Sequence, residues 1–227
     1  MKKSLLVLAV VAAFAPVLAQ AEAGDFVVRV RATSVSPDTS SSLGSTTAAL
    51  GANPVVYYGV GGAAAQLHVD NNVIPEIDFS YYITKNIAAE LILAVGTRHD
   101  VSISGSGGLS SNHNLGSVNL LPPTLTGQWH FNPDQTIDPY VGAGVSYIRA
   151  MDNGLNYGGT NPITISRNSF GPAIQAGVDY NLADKWLLNF DVKKIWFDTD
   201  VTLVGLGKID QLSIDPWVVS FGFGKKF

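Results

Sequence analysis

The hydrophobic pattern is clearest at the C-terminal end of the chain. Over residues 217–227, Trp217, Val219, Phe221, Phe223 and Phe227 occupy one face, and Val218, Ser220, Gly222, Gly224 and Lys226 the other. A period of two is that of a β-strand. Aromatic groups near both ends of the apolar face suit a strand crossing a bilayer between two interfacial belts. One strand cannot sit in lipid, because its unpaired N–H and C=O groups have no partner there, so the chain must close a barrel.

Seven further stretches repeat the pattern. In residues 25–33, Phe26, Val28, Val30 and Ala32 oppose Arg29 and Arg31. In residues 73–83, Ile77, Phe79 and Tyr81 oppose Glu76 and Asp78, and after a turn at Thr84, Lys85 and Asn86, Leu91 and Leu93 oppose Glu90 and Arg98. In residues 118–131, Leu125, Trp129 and Phe131 oppose Thr124, Gln128 and His130. In residues 139–147, Val141, Val145 and Tyr147 oppose Tyr140 and two glycines. In residues 170–180, Ile174, Val178 and Tyr180 oppose Gln175 and Asp179, and in residues 186–197, Trp186, Leu188 and Phe190 oppose Asp191 and Lys193. Lys194 breaks the last outward row, as a lysine snorkelling to the interface or a β-bulge would.

Residues 35–72, 104–116, 148–169 and 204–211 are rich in Ser, Gly and Asn and are expected to be loops, although Val55, Val56, Tyr57 and Tyr58 read as a strand extension. Connections therefore alternate long and short. The expected fold is an all-β, eight-stranded antiparallel transmembrane β-barrel with short periplasmic turns and long extracellular loops.

Composition sharpens this. Only 14% of residues are charged while 46% are hydrophobic, too little charge for an ordinary soluble surface. Met1-Lys2-Lys3, a short apolar run over residues 5–18 and Ala19-Gln20-Ala21 describe a secretory signal peptide at residues 1–21, with Ala23 the rival cleavage site and residues 22–227 the barrel. There are no cysteines, and the four histidines lack metal-site spacing. His99 and Asp100, adjacent on a strand, point to opposite faces and form no dyad. No catalytic, cofactor or metal residue is assigned, and the absence of a basic cluster excludes nucleic acid as a partner.

Several segments resemble one family. Leu121-Pro-Pro-Thr-Leu125, Pro139-Tyr-Val-Gly-Ala-Gly144, Gly177-Val-Asp-Tyr180, Asp198-Thr-Asp200 and Asp215-Pro-Trp217 are similar to the outer membrane protein W family, which includes alkane-uptake barrels. The resemblance implies an eight-stranded barrel in the bacterial outer membrane, in contact with lipid and lipopolysaccharide. It also implies a narrow apolar channel for small hydrophobic solutes, and some members serve as bacteriocin receptors. It marks Trp217, Phe221, Phe223 and Phe227 as the assembly signal read by the barrel-insertion machinery.

Three sets of residues become candidates. Arg29, Arg31, Glu76, Asp78, Glu90, Arg98, Gln128, Asp179, Asp191 and Lys193 face inward; they satisfy one another as lumen filling and form a plug against straight passage. Pro122 and Pro123 each remove a ladder donor and are expected either to interrupt the strand, giving a lateral opening, or to mark where pairing begins. Leu120, Met151, Leu155, Tyr157 and Phe170 are candidates for an apolar entrance, beside Leu115, Val118 and Ile148. Passive uptake of small hydrophobic molecules leads the functional readings. A structural or receptor barrel presenting its loops is the alternative, and an enzyme barrel would need a loop-borne catalytic set that is not found. A soluble ligand-binding barrel would place apolar groups inside and charges outside, the inverse of this pattern.

Overall fold

A computed structural model describes residues 22–51, 61–94, 97–105, 113–159 and 161–227. The expected signal peptide and the strand extension at residues 55–58 lie outside the described residues. The elements are β1 (Phe26–Ser36), β2 (Ser40–Ser41), α1 (Leu43–Ala49), β3 (Gln66–Val69), β4 (Asn72–Tyr82), β5 (Ile87–Ala94), β6 (Thr97–Ser104), β7 (His113–Leu121) and β8 (Thr124–His130). They continue with β9 (Ile137–Asn153), β10 (Leu155–Tyr157), β11 (Asn161–Ile165), β12 (Asn168–Asn181), β13 (Trp186–Ile195), β14 (Asp198–Leu203), β15 (Gly207–Ser213) and β16 (Trp217–Lys226).

Eight of these strands close a barrel in the order β1, β4, β5, β8, β9, β12, β13, β16, every pair antiparallel, with β16 returning to β1. The seam runs from Val27 opposite Lys226 to Ser36 opposite Trp217. The Phe227 N–H donates to the Phe26 carbonyl at 2.8 Å. Within the eight barrel strands the outer and inner faces follow the sequence alternation. Phe221, Phe223, Trp129 and Ile174 are about half exposed on the outer wall, whereas Arg29, Asp78, Glu90 and Asp191 are wholly buried inside.

The wall continues above the barrel where loops are expected from the sequence. β3, β6 and β7 add to the upper half of β9, and β10, β11, β14, β15 and β2 form a second sheet. Short runs such as Val101/Ile103, Ile163/Ile165, Val201/Leu203 and Leu212/Ile214 drive these strands by burying every second residue. The first of the expected loops also carries α1. Asp210 anchors its start, accepting bonds from Ser41 Oγ at 2.6 Å, Ser42 N at 2.7 Å and Ser42 Oγ at 2.6 Å. Leu43 is wholly buried, and Gly44 fits because a Cβ there would meet the Ala63 carbonyl oxygen at 2.6 Å.

No bulge turns Lys194, since both of its ladders reach it without a register shift. Its ammonium donates to the Asp215 carbonyl at 2.5 Å, stands 5.1 Å over the Trp217 ring and lies 3.7 Å from Asp38. Asp215 holds φ at 36°, in the left-handed region that non-glycine residues rarely adopt, and its carboxylate accepts from the Phe197 N–H at 3.0 Å.

Candidate functional site

The inner surface has two storeys, set by what each strand places inside at each level. On β1 the inward residues read Arg29, Arg31, Thr33, Val35 towards the outside, and on β4 they read Asp78, Glu76, Ile74. Asp191, Lys193 and Ile195 follow the same order on β13, as do Ser220 and Val218 on β16. Charge gives way to hydrocarbon at one height all round the barrel.

The lower storey is a connected polar layer. Arg29 reaches Asp179 at 2.6 Å, the Ser80 hydroxyl at 2.6 Å and Glu90 at 3.4 Å. Arg31 lies 2.7 Å from Glu76 and 2.6 Å from Asp78, and donates to Asn189 Oδ1 at 3.0 Å. Glu90 also accepts from Gln128 at 2.7 Å and Gln175 at 3.0 Å. Asp191 takes Lys193 at 2.6 Å and the Tyr140 hydroxyl at 2.8 Å. Below them His130 sits 2.7 Å from Asp138, its ring between those of Tyr82 and Tyr140 at 5.0 Å each. Glycines make the room: a Cβ at Gly224 would meet Arg29 Cγ at 2.8 Å, and one at Gly177 the Tyr140 ring. Three cations, Arg29, Arg31 and Lys193, face five carboxylates, Glu76, Asp78, Glu90, Asp179 and Asp191, in this network.

Arg98 does not join them. Its side chain is 68% exposed and faces Asp100 at 4.0 Å. The inward phase reverses between β5 and β6: Ala94 is buried, and so are Thr97 and His99, three and five positions later. An odd spacing turns Arg98 to the outside.

The upper storey is a cavity with about 1190 Å³ of unfilled space, counted with its mouth. Leu67, Ile92, Val101, Leu115, Val118, Ile148, Leu155, Ile163, Phe197, Val201, Leu212 and Val218 line it, and Thr33, Glu76, Thr124 and Lys193 form its floor. Leu120 and Leu155 are among the lining residues, and Tyr157 packs against the same apolar cluster. Met151 and Phe170 are not part of it, being 61% and 72% exposed. Phe170 shares its face with Pro172 and Ile174 and stacks on Tyr147 at 4.8 Å. Met151 stands at the irregularity where Asn119 and Leu120 face Asp152 and Ala150. The sequence reading missed Leu67, Val101, Ile163, Val201 and Leu212. The available signal was the short period-two runs, with Leu67 and Ile163 inside the presumed loops and Val101, Val201 and Leu212 beside them.

Pro122 and Pro123 lie between β7 and β8. On one side the pairing carries across them, with the Pro123 carbonyl accepting from the Tyr147 N–H at 2.9 Å. On the other, β5 pairs with β8 as far as Ile92 opposite Thr124, and β6 with β7 from Thr97 opposite Leu120. The ladder there is broken among the described residues, and Pro122 itself lines the cavity. Among the described residues no cluster of His, Cys, Asp and Glu is placed to hold a metal ion.

Known proteins share this architecture. The chain is similar to outer membrane protein W of Escherichia coli strain K12, 35% identical over 179 residues covering 74% of this chain and 81% of the relative. It is 34% identical over the full length of both chains to outer membrane protein W of Vibrio cholerae. The crystal structure of OprG from Pseudomonas aeruginosa superposes with a TM-score of 0.74 at 27% identity, covering 91% of this chain and 97% of that one. The OmpW family model matches residues 22–227, and this eight-stranded barrel of the bacterial outer membrane belongs to the OmpW family.

Proposed function

We propose that the barrel mediates passive uptake of small hydrophobic molecules, which enter the upper cavity from outside and leave sideways into the membrane at the Pro122–Pro123 seam. One observation carries this reading: an apolar cavity stands directly on a buried, ion-paired polar layer. Cargo that gains by leaving water is held in the cavity, while entering the layer below would cost it every ion pair it separates. The straight path to the periplasm is thus closed to it. Beside Pro122 no ladder pair among the described residues lies between Ile92–Thr124 and Thr97–Leu120, and a wall with fewer cross-strand bonds parts there at lower cost, which is the other exit of this reading.

Liposomes carrying lipopolysaccharide in the outer leaflet and the purified barrel test this with an alkane and a small sugar. The alkane is expected to enter faster than without protein, and the sugar not to. Equal entry of the sugar would mean an ordinary water-filled pore. Replacing Pro122 and Pro123 by alanine restores two donors, so alkane uptake should slow while the folded barrel survives boiling-shift electrophoresis as before. Unchanged uptake would remove the lateral exit.

A further inference from the structure

The cavity floor carries hydrogen-bonding capacity that the protein itself leaves unspent. Lys193 is 2% exposed and lines the cavity, and its ammonium makes one bond among the described residues, to Asp191 at 2.6 Å. An ammonium has three donors. Glu76 is 4% exposed and also lines the cavity. Its Oε1 accepts from Arg31 at 2.7 Å and from the Ser220 hydroxyl at 3.3 Å, whereas Oε2 accepts no bond among the described residues. Beneath an apolar shaft there is therefore one free donor group and one free acceptor. Leaving either unmade against hydrocarbon is costly.

We propose that the cavity is a site for neutral amphipathic molecules with a terminal hydroxyl, such as medium-chain primary alcohols, held head down on Lys193 and Glu76. This rests on reading the cavity as the uptake site and specifies what it prefers. A hydroxyl oxygen accepts from the Lys193 ammonium while its proton is donated to Glu76 Oε2, so one open Lys193 donor and the open Glu76 oxygen are engaged at once. A hydrocarbon satisfies neither. A carboxylate satisfies Lys193 only, and meets Glu76 and a layer holding five carboxylates against three cations. Like charges in a water-poor site repel strongly, so the anion is rejected. On the floor Thr33 is bonded to the Ser220 hydroxyl and Thr124 to that of Ser146, each at 2.9 Å. Higher up His99 is bonded to the Asp70 carbonyl at 3.0 Å and Thr97 to that of Leu120, while Thr199 Oγ1 has no partner among the described residues.

Octane, 1-octanol and octanoate, matched in chain length, separate the possibilities when titrated into the isotope-labelled barrel in lipid nanodiscs. The amide signals of Thr33, Glu76 and Lys193 report the floor, and those of Ile163 and Val201 the walls. Two added hydrogen bonds predict that 1-octanol moves the floor signals at about tenfold lower concentration than octane moves the walls. Lys193→Met should abolish that advantage, so that within the variant 1-octanol and octane respond at the same concentration. Glu76→Gln keeps an acceptor, adds a donor and removes a charge, so octanoate should gain about tenfold; this variant decides the matter if Lys193→Met fails to fold. Equal responses to octane and 1-octanol, or a wild-type preference for octanoate, would overturn the assignment while leaving uptake of apolar molecules intact. If none of the three moves the wall signals, the uptake reading falls with it.

Discussion

At the scale of single residues, the lumen is arranged around two arginines of β1 and the glycines that admit them. Arg29 is wholly buried against Asp179 and Glu90. Replacing it with methionine leaves Asp179 without its cation and Glu90 with only Arg31, 3.9 Å away, a loss on the order of 3–5 kcal/mol. The urea midpoint of refolding into lipid should fall accordingly. Gly177→Val would drive its side chain into the Tyr140 ring and the Phe190 carbonyl, so a destabilisation of about 1–3 kcal/mol is expected in the same assay. The pairing partners of Arg29 and Arg31 were legible in the sequence as a set, because their shared phase put them all inside. Arg98 was not, since the alternation of Leu93 and Val95 against Ala94 and Gly96 runs on to it unbroken, and a lone glycine is a weak sign of irregularity in a strand.

At the scale of elements, the membrane strands follow from alternation alone, whereas α1 and the strands above the barrel do not. Residues 43–49 contain Gly, Ser and two threonines, poor helix formers, so α1 exists through its tertiary anchors. The chief anchor is Asp210, which was hidden in a presumed loop. Asp210→Ala should therefore loosen α1 locally. Hydrogen exchange at Thr46 and Leu50, whose amides bond to Ser42 and Thr46, is expected to quicken while β1 and β16 stay protected. Equal quickening throughout would mean that the anchor supports the barrel as a whole. The upper cavity was illegible for a related reason: part of its wall comes from strands as short as β3, β10 and β11, whose period is too brief to stand out.

Taken whole, the molecule is an inverted protein, with its charges inside and its aromatics outside. All four tryptophans face outward, Trp129 and Trp186 towards the short-turn end and Trp196 and Trp217 towards the other. Lipids brominated near the headgroup should quench the intrinsic fluorescence more strongly than lipids brominated at mid-chain. The opposite order would displace the barrel along the membrane normal. The two-storey interior also belongs to this scale, because no one strand contains it. It emerges only when Arg31, Glu76, Lys193 and Ser220 are brought to one level by register.

The seam between β1 and β16 carries a further consequence, for the order of events. The first strand of the barrel finds its second neighbour only in the last, and the final residue bonds back to Phe26. No ring exists until the whole chain has been delivered, so synthesis cannot be accompanied by stepwise closure. Until β16 arrives, β1 stays unpaired on one flank, as does whichever strand is then last in the growing sheet. Joining the two ends and reopening the chain at the short turn around residues 132–135 would keep every ladder while changing which strands wait. Such a permuted chain should reach the same barrel by a different schedule, visible as altered refolding kinetics with an unaltered final state.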